Sequence, residues 1–353
     1  MNIAVVAFVS LVYATSFIDG TYGSGMAMPT ATDKNLLKKE YCEPGAAYKL
    51  FGYDCSDMGL VDVPQNLRSS VKILDLSINR IRELKKTSFK RYSDIKLLYL
   101  FDNKIKNIEE GTFAHLTNLE AIDLSSNTLV TISIELFELP RLRNLYYSDN
   151  PLSQDRIEAD LKHLEKPIAA PLQKLFMAEC SLTSILDFGI LPDLVHLNIS
   201  FNVLNEITPQ QFSPFCNLRT VTIQNSTKLN PCTCKSLQAY FDRRLIFLNH
   251  TFDCQTPHEE EVYCSESVNA TVDSDEYNKC LVRVEEKIRE EKSREMWLRI
   301  SIGLGVFFAI FIFVLYYFHR RNAQRTKQLE KQSTKLRHIH QTQNGNVEVL
   351  LTK

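Results

Sequence analysis

Residues Leu119–Leu129 read LEAIDLSSNTL, with apolar residues at the first, fourth, sixth and last positions and an asparagine at the ninth. The same phase returns as ILDLSINRI from Ile73 and as LVHLNISFNVL from Leu194. Aligned on this pattern, copies begin at Val71, Ile95, Leu119, Leu142, Leu172, Leu194 and Leu218, spaced by 24, 24, 23, 30, 22 and 24 residues. One match of this kind is weak, but six or seven in near-constant phase define a tandem array. Each copy is then one short strand and a return segment, and it buries its apolar face only by stacking on its neighbours.

The asparagine column reads Asn79, Asn103, Asn127, Asn150, Cys180 and Asn202. The turn after each strand leaves backbone groups with no ladder partner, and a carboxamide offers both donors and an acceptor to satisfy them. Further round the coil run an aliphatic column (Leu84, Ile108, Ile132, Ile185, Ile207) and a phenylalanine column (Phe89, Phe113, Phe137, Phe188, Phe212). The fourth copy breaks both columns and is longer; Ile157, Leu161 and Leu164 at i, i+4 and i+7 predict a short helix there.

Two apolar stretches lie outside this pattern. Ile3–Val12 is too short to span a bilayer and runs into Ala14, Thr15 and Ser16, which reads as a signal peptide cleaved between Ala14 and Gly20. Ile300–Phe318 holds 19 residues without a charge, long enough to cross a hydrocarbon core of about 30 Å. Trp297 flanks it on one side, and Tyr316, Tyr317, His319, Arg320 and Arg321 on the other, as aromatic anchoring and the positive-inside bias require. Beyond it, eight Lys or Arg face two Glu, so the tail carries +6 and the rest of the chain −7. All nine cysteines and all four N-x-Ser/Thr sequons (Asn198, Asn225, Asn249, Asn269) precede the span, which fits an oxidising lumen on that side. The expected arrangement is a type I single-pass protein of the plasma membrane with an extracellular N-terminus.

The chain resembles the extracellular leucine-rich-repeat family from Cys42 to about Cys280. YDCSDMGLVDVP ahead of the first repeat is similar to that family's N-terminal cap, and NPCTCKSLQAYF with Cys254 and QTP to its C-terminal cap. The resemblance implies an α/β solenoid with a parallel concave β-sheet and disulfide-bonded caps, here followed by one transmembrane helix. The expected domains are a signal peptide (1–20), N-terminal cap (42–70), repeats (71–229), cysteine-rich C-terminal cap (230–280), charged stalk (281–299), span (300–318) and basic tail (319–353). It also implies one bridge in the N-terminal cap, Cys42 with Cys55, where four cysteines are common in the family. In the C-terminal cap it implies Cys232 with Cys254, and Cys234 with Cys280, Cys264 being the competitor. Cys180 and Cys216 are expected buried and unpaired, and an intermolecular bridge through Cys264 or Cys280 stays open.

No phosphate-cradling loop, nucleophile elbow or zinc-binding helix is present in the sequence, and the 35-residue tail is too short for a signalling domain. His338 and His340 lack a third ligand nearby, and the acidic runs Glu259–Glu261 and Glu285–Glu295 read as solvated surface. The expectation is a binding protein with no enzymatic role, no cofactor or metal, and no nucleic-acid partner. Side chains alternate along a strand, so the variable repeat positions project from the concave sheet. They give a candidate ligand-binding set of Tyr99, Phe101, Asp123, Tyr146, Asp149, Phe176 and Phe201, with Tyr99, Tyr146 and Phe176 in one column. The expected partner is a protein ligand or co-receptor. Small ectodomains of this kind resemble invertebrate immune-recognition and neuronal adhesion proteins; irregular repeats and the sparse N-terminal cap point toward innate immunity. An accessory subunit of a channel or receptor, or an adhesion protein, is the alternative. In the span, Ser301, Gly305 and Ala309 share one face and are expected to pair two copies, while the tail cations are expected to meet anionic lipid.

Overall fold

The computed structural model describes residues 41–350, apart from 165, 167, 206, 227, 230, 250–252 and 255–273. The proposed signal peptide, Cys264 and Asn269 lie outside the described residues. Two compact units divide at Val284 and Glu285.

In the first unit, one ten-stranded sheet is built in chain order. It opens with an antiparallel hairpin, β1 (Glu43–Ala47) and β2 (Leu50–Asp54), and continues with parallel strands only. These are β3 (Ile73–Asp75), β4 (Leu97–Tyr99), β5 (Ala121–Asp123), β6 (Asn144–Tyr146), β7 (Lys174–Phe176), β8 (His196–Asn198), β9 (Thr220–Thr222) and β10 (Phe247–Leu248). The repeats thus form an α/β array with a parallel-dominated sheet. The central residue of every repeat strand is buried, so the leucine pattern fills the space behind the sheet. Helix α1 (Gln154–Leu161) occupies the long fourth repeat, and it buries Ile157 and Leu161.

The asparagine column does what its chemistry requires. Asn127 Nδ2 donates to the carbonyls of Leu100, Leu124 and Ser125, each at 3.0 Å, while its Oδ1 accepts from Ile105 N at 2.9 Å. Asn79, Asn103, Asn150 and Asn202 make equivalent sets, each joining its own turn to the preceding coil. Cys180 keeps only part of this role: its thiol donates to Tyr147 O at 3.2 Å. It is free and buried, and burial pushes the thiol up to about 12, which suppresses its nucleophilic thiolate. Ser226 extends the column, donating to Ile199 O at 2.9 Å. The residue before each of these positions (Ile78, Asp102, Ser126, Asp149, Glu179, Phe201, Asn225) has a φ between 50° and 57°. None is glycine, so the left-handed turn is held by the hydrogen bonds around it rather than by local preference.

The phenylalanine column is buried throughout. Phe89 stacks on Phe113 at 6.0 Å, Phe137 packs at a tilt on Phe188 at 5.2 Å across the fourth repeat, and Phe212 meets Phe241 of the cap helix edge-on at 5.0 Å. That helix, α2 (Pro231–Arg244), closes the array by burying Cys234, Leu237, Tyr240 and Phe241. Its last residue, Arg244, donates to the Phe212 and Phe215 carbonyls and lies 4.5 Å over the Tyr277 ring.

Cys42 is bridged to Cys55 at the base of the hairpin. The C-terminal pairing differs from the expectation of Cys234 with Cys280: Cys280 is bonded to Cys216, which had been expected to be unpaired. The cause is tertiary. Helix α3 (Asp275–Leu350) begins against the last repeat, Tyr277 sits on Arg244, and one turn later Cys280 is fully buried beside Cys216. Cys216 N donates to Cys280 Sγ at 3.2 Å. The bridge closes 64 residues, a loop whose restriction is worth about 4 kcal/mol on the chain-entropy account. An intermolecular bond through Cys280 is thereby removed. Cys232 and Cys234 are both disulfide-bonded, and Cys254 lies on a two-residue strand paired with Lys228–Leu229.

In the second unit, the continuing helix carries i,i+4 ion pairs from Glu290 to Arg294 and from Glu295 to Arg299, then the apolar run. It is long and apolar enough to cross a membrane, and none of its apolar window is buried within the protein.

Asn127→Ala should remove three donated bonds and strand the Ile105 N–H, destabilising the fold by about 2–4 kcal/mol. Thermal unfolding of the full chain in mild detergent measures this. Asn107→Ala, which removes only an exposed side-chain bond to Glu83, is the control and should leave the midpoint nearly unchanged.

Candidate functional site

Strand register fixes which side chains stand side by side on the outer face of the sheet. Paired positions run Asp54, Asp75, Tyr99, Asp123, Tyr146, Phe176, Asn198 and Thr222 in one column. Two residues earlier runs a second column, Gly52, Ile73, Leu97, Ala121, Asn144, Lys174, His196 and Thr220. The expected aromatic column therefore exists as a row of neighbours, but its members are in different environments.

Tyr99 is covered. The β1–β2 hairpin turns through Tyr48 and Lys49, at φ 52° and 64°, and its tip brings Ala47 and Leu50 onto Ile73, Leu97 and Tyr99. Tyr99 is left 5% exposed, and burial raises its hydroxyl pKa well above the ordinary tyrosine range. Glycine at position 52 permits this approach, because a Cβ there would stand 2.8 Å from the Ile73 Cβ. The candidate set thus loses Tyr99 as an open contact. The paired left-handed turn is the hairpin type favoured by Asn-Gly or Asp-Gly. Tyr48-Lys49 carries no such signal, so the hairpin was illegible in the sequence.

Asp123 is also buried, at 3% exposure. Its Oδ1 accepts from Ser125 N at 2.9 Å; Asp75 does the same with Ser77 N, and Asn198 with Ser200 N. The D-x-S pattern is therefore a device for turning the chain at the end of the strand. Burial raises the Asp123 carboxyl pKa, against the opposing hydrogen bonds from Ser125. Asp149 and Phe201 occupy the left-handed turn position rather than a strand. Asp149 is exposed there, and Phe201 is half-buried.

What stays open is the middle of the face. Tyr146 and Phe176, on adjacent strands, meet edge to face with ring centroids 5.0 Å apart, and both are half-buried. Burial, with Asp123 nearby, pushes the Tyr146 hydroxyl up to about 12, so it remains a neutral donor. Beside them lie Lys174 and His196. Burial lowers the pKa of both, and Lys174 lowers that of His196 further. Phe101 is half-buried two residues beyond Tyr99. Along the flank, Lys72 pairs with Asp94 at 2.8 Å and Lys96 with Glu120 at 2.7 Å. The centre is thus aromatic with hydrogen-bonding rims, a composition that suits a protein contact. Among the sequons, Asn198 is half-buried next to Phe176, and Asn225 and Asn249 are exposed.

The leucine rich repeat family profile matches residues 69–129 and 95–152. Residues 69–152 are leucine-rich repeats. The chain is also similar to biglycan of Xenopus laevis, 35% identical over 88 residues, 21% of this chain and 24% of that protein. It therefore spans about a quarter of the length of that relative. The matched repeats carry the column from Asp75 to Tyr146, including both buried aspartates.

The folded-state pKa of Asp123 lies above its ordinary value of 3.8. Its contribution to stability is present below that value and is lost as pH rises through the raised pKa. Asp123→Asn keeps the acceptor for Ser125 N, as Asn198 does for Ser200. The substitution should raise the melting midpoint at pH 7, with the gain shrinking toward zero as pH falls to about 4. A pH-independent difference between the two proteins would show that the carboxylate charge is not the cause.

Proposed function

We propose that this protein is a single-pass cell-surface recognition receptor or co-receptor, with its N-terminal side extracellular, and that it binds a protein ligand through the sheet's open centre. The Tyr146–Phe176 pair carries this reading: two large rings on adjacent strands, in contact with each other and still accessible, with Lys174 and His196 alongside. Rigid aromatic groups of this kind are favoured anchors in protein interfaces. The hairpin tip bounds the site on one side and a glycan on Asn198 would bound it on the other, so the ligand presents a narrow protruding element. The repeats, the disulfide-bonded caps and the helix long enough to span a bilayer support a binding role at a membrane surface. Immune recognition is the setting we favour, on the irregular repeats and the sparse N-terminal cap.

The test begins with partners co-purified from detergent-solubilised membranes. Tyr146→Ala with Phe176→Ala should leave the melting midpoint close to that of the parent and weaken the partner by about 30-fold, equivalent to about 2 kcal/mol. Tyr99→Ala should instead loosen the hairpin and lower stability. An unchanged affinity in the folded double variant would reject the sheet centre as the binding surface.

The span is proposed to pair two copies through Ser301, Gly305 and Ala309. The three lie on one helix face, and a Cβ on Gly305 would meet nothing within 4 Å. Small residues let two backbones approach closely in lipid. Gly305→Leu should reduce cross-linking of the full chain in membranes; cross-linking indifferent to this substitution would leave the stripe as ordinary span composition.

A further inference from the structure

Charge ahead of the tail is concentrated in one place. Residues 80–106 hold nine Lys or Arg against three Asp or Glu, so the −7 of the chain before His319 divides into +6 here and −13 elsewhere. The fold arranges part of this charge regularly. After Asn79 and Asn103 the chain runs extended on the far side of the turn, where Glu83–Leu84 pairs in parallel with Asn107–Ile108. Ahead of that pair the two segments stay bonded, Lys106 N donating to Arg82 O at 2.9 Å and Lys104 N to Ile81 O at 3.0 Å, with a slip of one residue between the two bonds. Ile81 and Ile105 point inward and are fully buried, so Arg80, Arg82, Lys104 and Lys106 all point out and are exposed. They form a cluster of four, two from each of two neighbouring segments about 4.8 Å apart. Among the described residues none of the four is in an ion pair, unlike Lys72 and Lys96 on the sheet flank. The neighbouring carboxylate, Glu83, accepts from Asn107 Nδ2.

Four like charges held this close repel one another, and the one neighbouring carboxylate, Glu83, does not offset all four. A partner with regularly repeated negative charge would. We propose that Arg80, Arg82, Lys104 and Lys106 form a binding site for a sulfated polysaccharide, separate from the aromatic centre of the sheet. An acidic protein is the weaker fit, because among the described residues no exposed aromatic ring lies in the two segments that carry the array. A linear polyanion requires no such anchor: it is held by charge and released by salt.

Heparin is the probe, with the full chain in neutral detergent at about 150 mM salt. Replacing all four array residues by serine should raise the heparin Kd by about tenfold or more and flatten its salt dependence. Replacing Arg320, Arg321, Arg325 and Lys327 by serine removes the same charge from the tail and should change the Kd by less than about threefold. Arg80→Lys with Arg82→Lys should retain binding, and Lys104→Ser with Lys106→Ser serves should the fourfold variant lose its unfolding transition. Equal losses from array and tail variants, or no heparin binding by the parent, would overturn the site. Polyglutamate binding as tightly as heparin, or desulfated heparin binding undiminished, would overturn its assignment to a sulfated polysaccharide. None of these readouts depends on Tyr146 or Phe176, so failure here leaves the protein-binding reading standing.

Discussion

Every coil of this array has to turn sharply after a three-residue strand, and each turn buries backbone groups that no strand ladder can reach. The asparagine column solves this at one stroke per coil. A single carboxamide takes two or three carbonyls and one or two amides, some from its own turn and some from the coil before. It therefore closes the turn and sets the stacking register together. The left-handed residues ahead of each asparagine show how firmly this holds. Ile78 is β-branched and disfavoured there, yet it adopts a φ of 56° because the bonds on either side leave no alternative. Among the described residues no buried side-chain polar atom lacks a partner.

Once the register is set, the surface follows from it. Columns on the outer face are the same strand position read from successive repeats, so a change of one residue type moves a patch by one strand spacing. Aspartate at this position accepts from the amide two residues on and so caps the turn at the strand's end, whereas an aromatic ring lies against its column neighbours or, at Tyr99, under the hairpin tip. The alternation Asp75, Tyr99, Asp123, Tyr146, Phe176 thus sorts into turn-capping groups and face-forming groups. The same logic on the far side of the turn turns a run of alternating Arg, Lys and Ile into the ordered cationic array.

The ends of the array are handled by different means. At the start, an antiparallel hairpin closed by a disulfide completes the sheet and lays its tip on the first exposed apolar residues. At the finish, α2 continues the phenylalanine stack, and Arg244 adds a second donor to the Phe212 and Phe215 carbonyls while receiving Tyr277. The Cys216–Cys280 bond then ties the first turns of α3 to the final repeat.

The repeat period, the buried columns, the asparagine ladder and the apolar helix were legible in the sequence, because each rests on a local pattern of residue type at fixed spacing. The helix in the fourth repeat was legible for the same reason. Three features were not. Cys216 and Cys280 are 64 residues apart, and only the docking of α3 against the last repeat brings them together. The hairpin turn uses Tyr48-Lys49 in place of the residues that announce such turns, so its existence depends on packing against β3 and β4. The state of each candidate side chain also had to wait for the fold. Alternation places Tyr99, Asp123 and Tyr146 on one face, but whether a residue is covered, bent into a turn or left open depends on what the neighbouring coil and the hairpin tip put beside it.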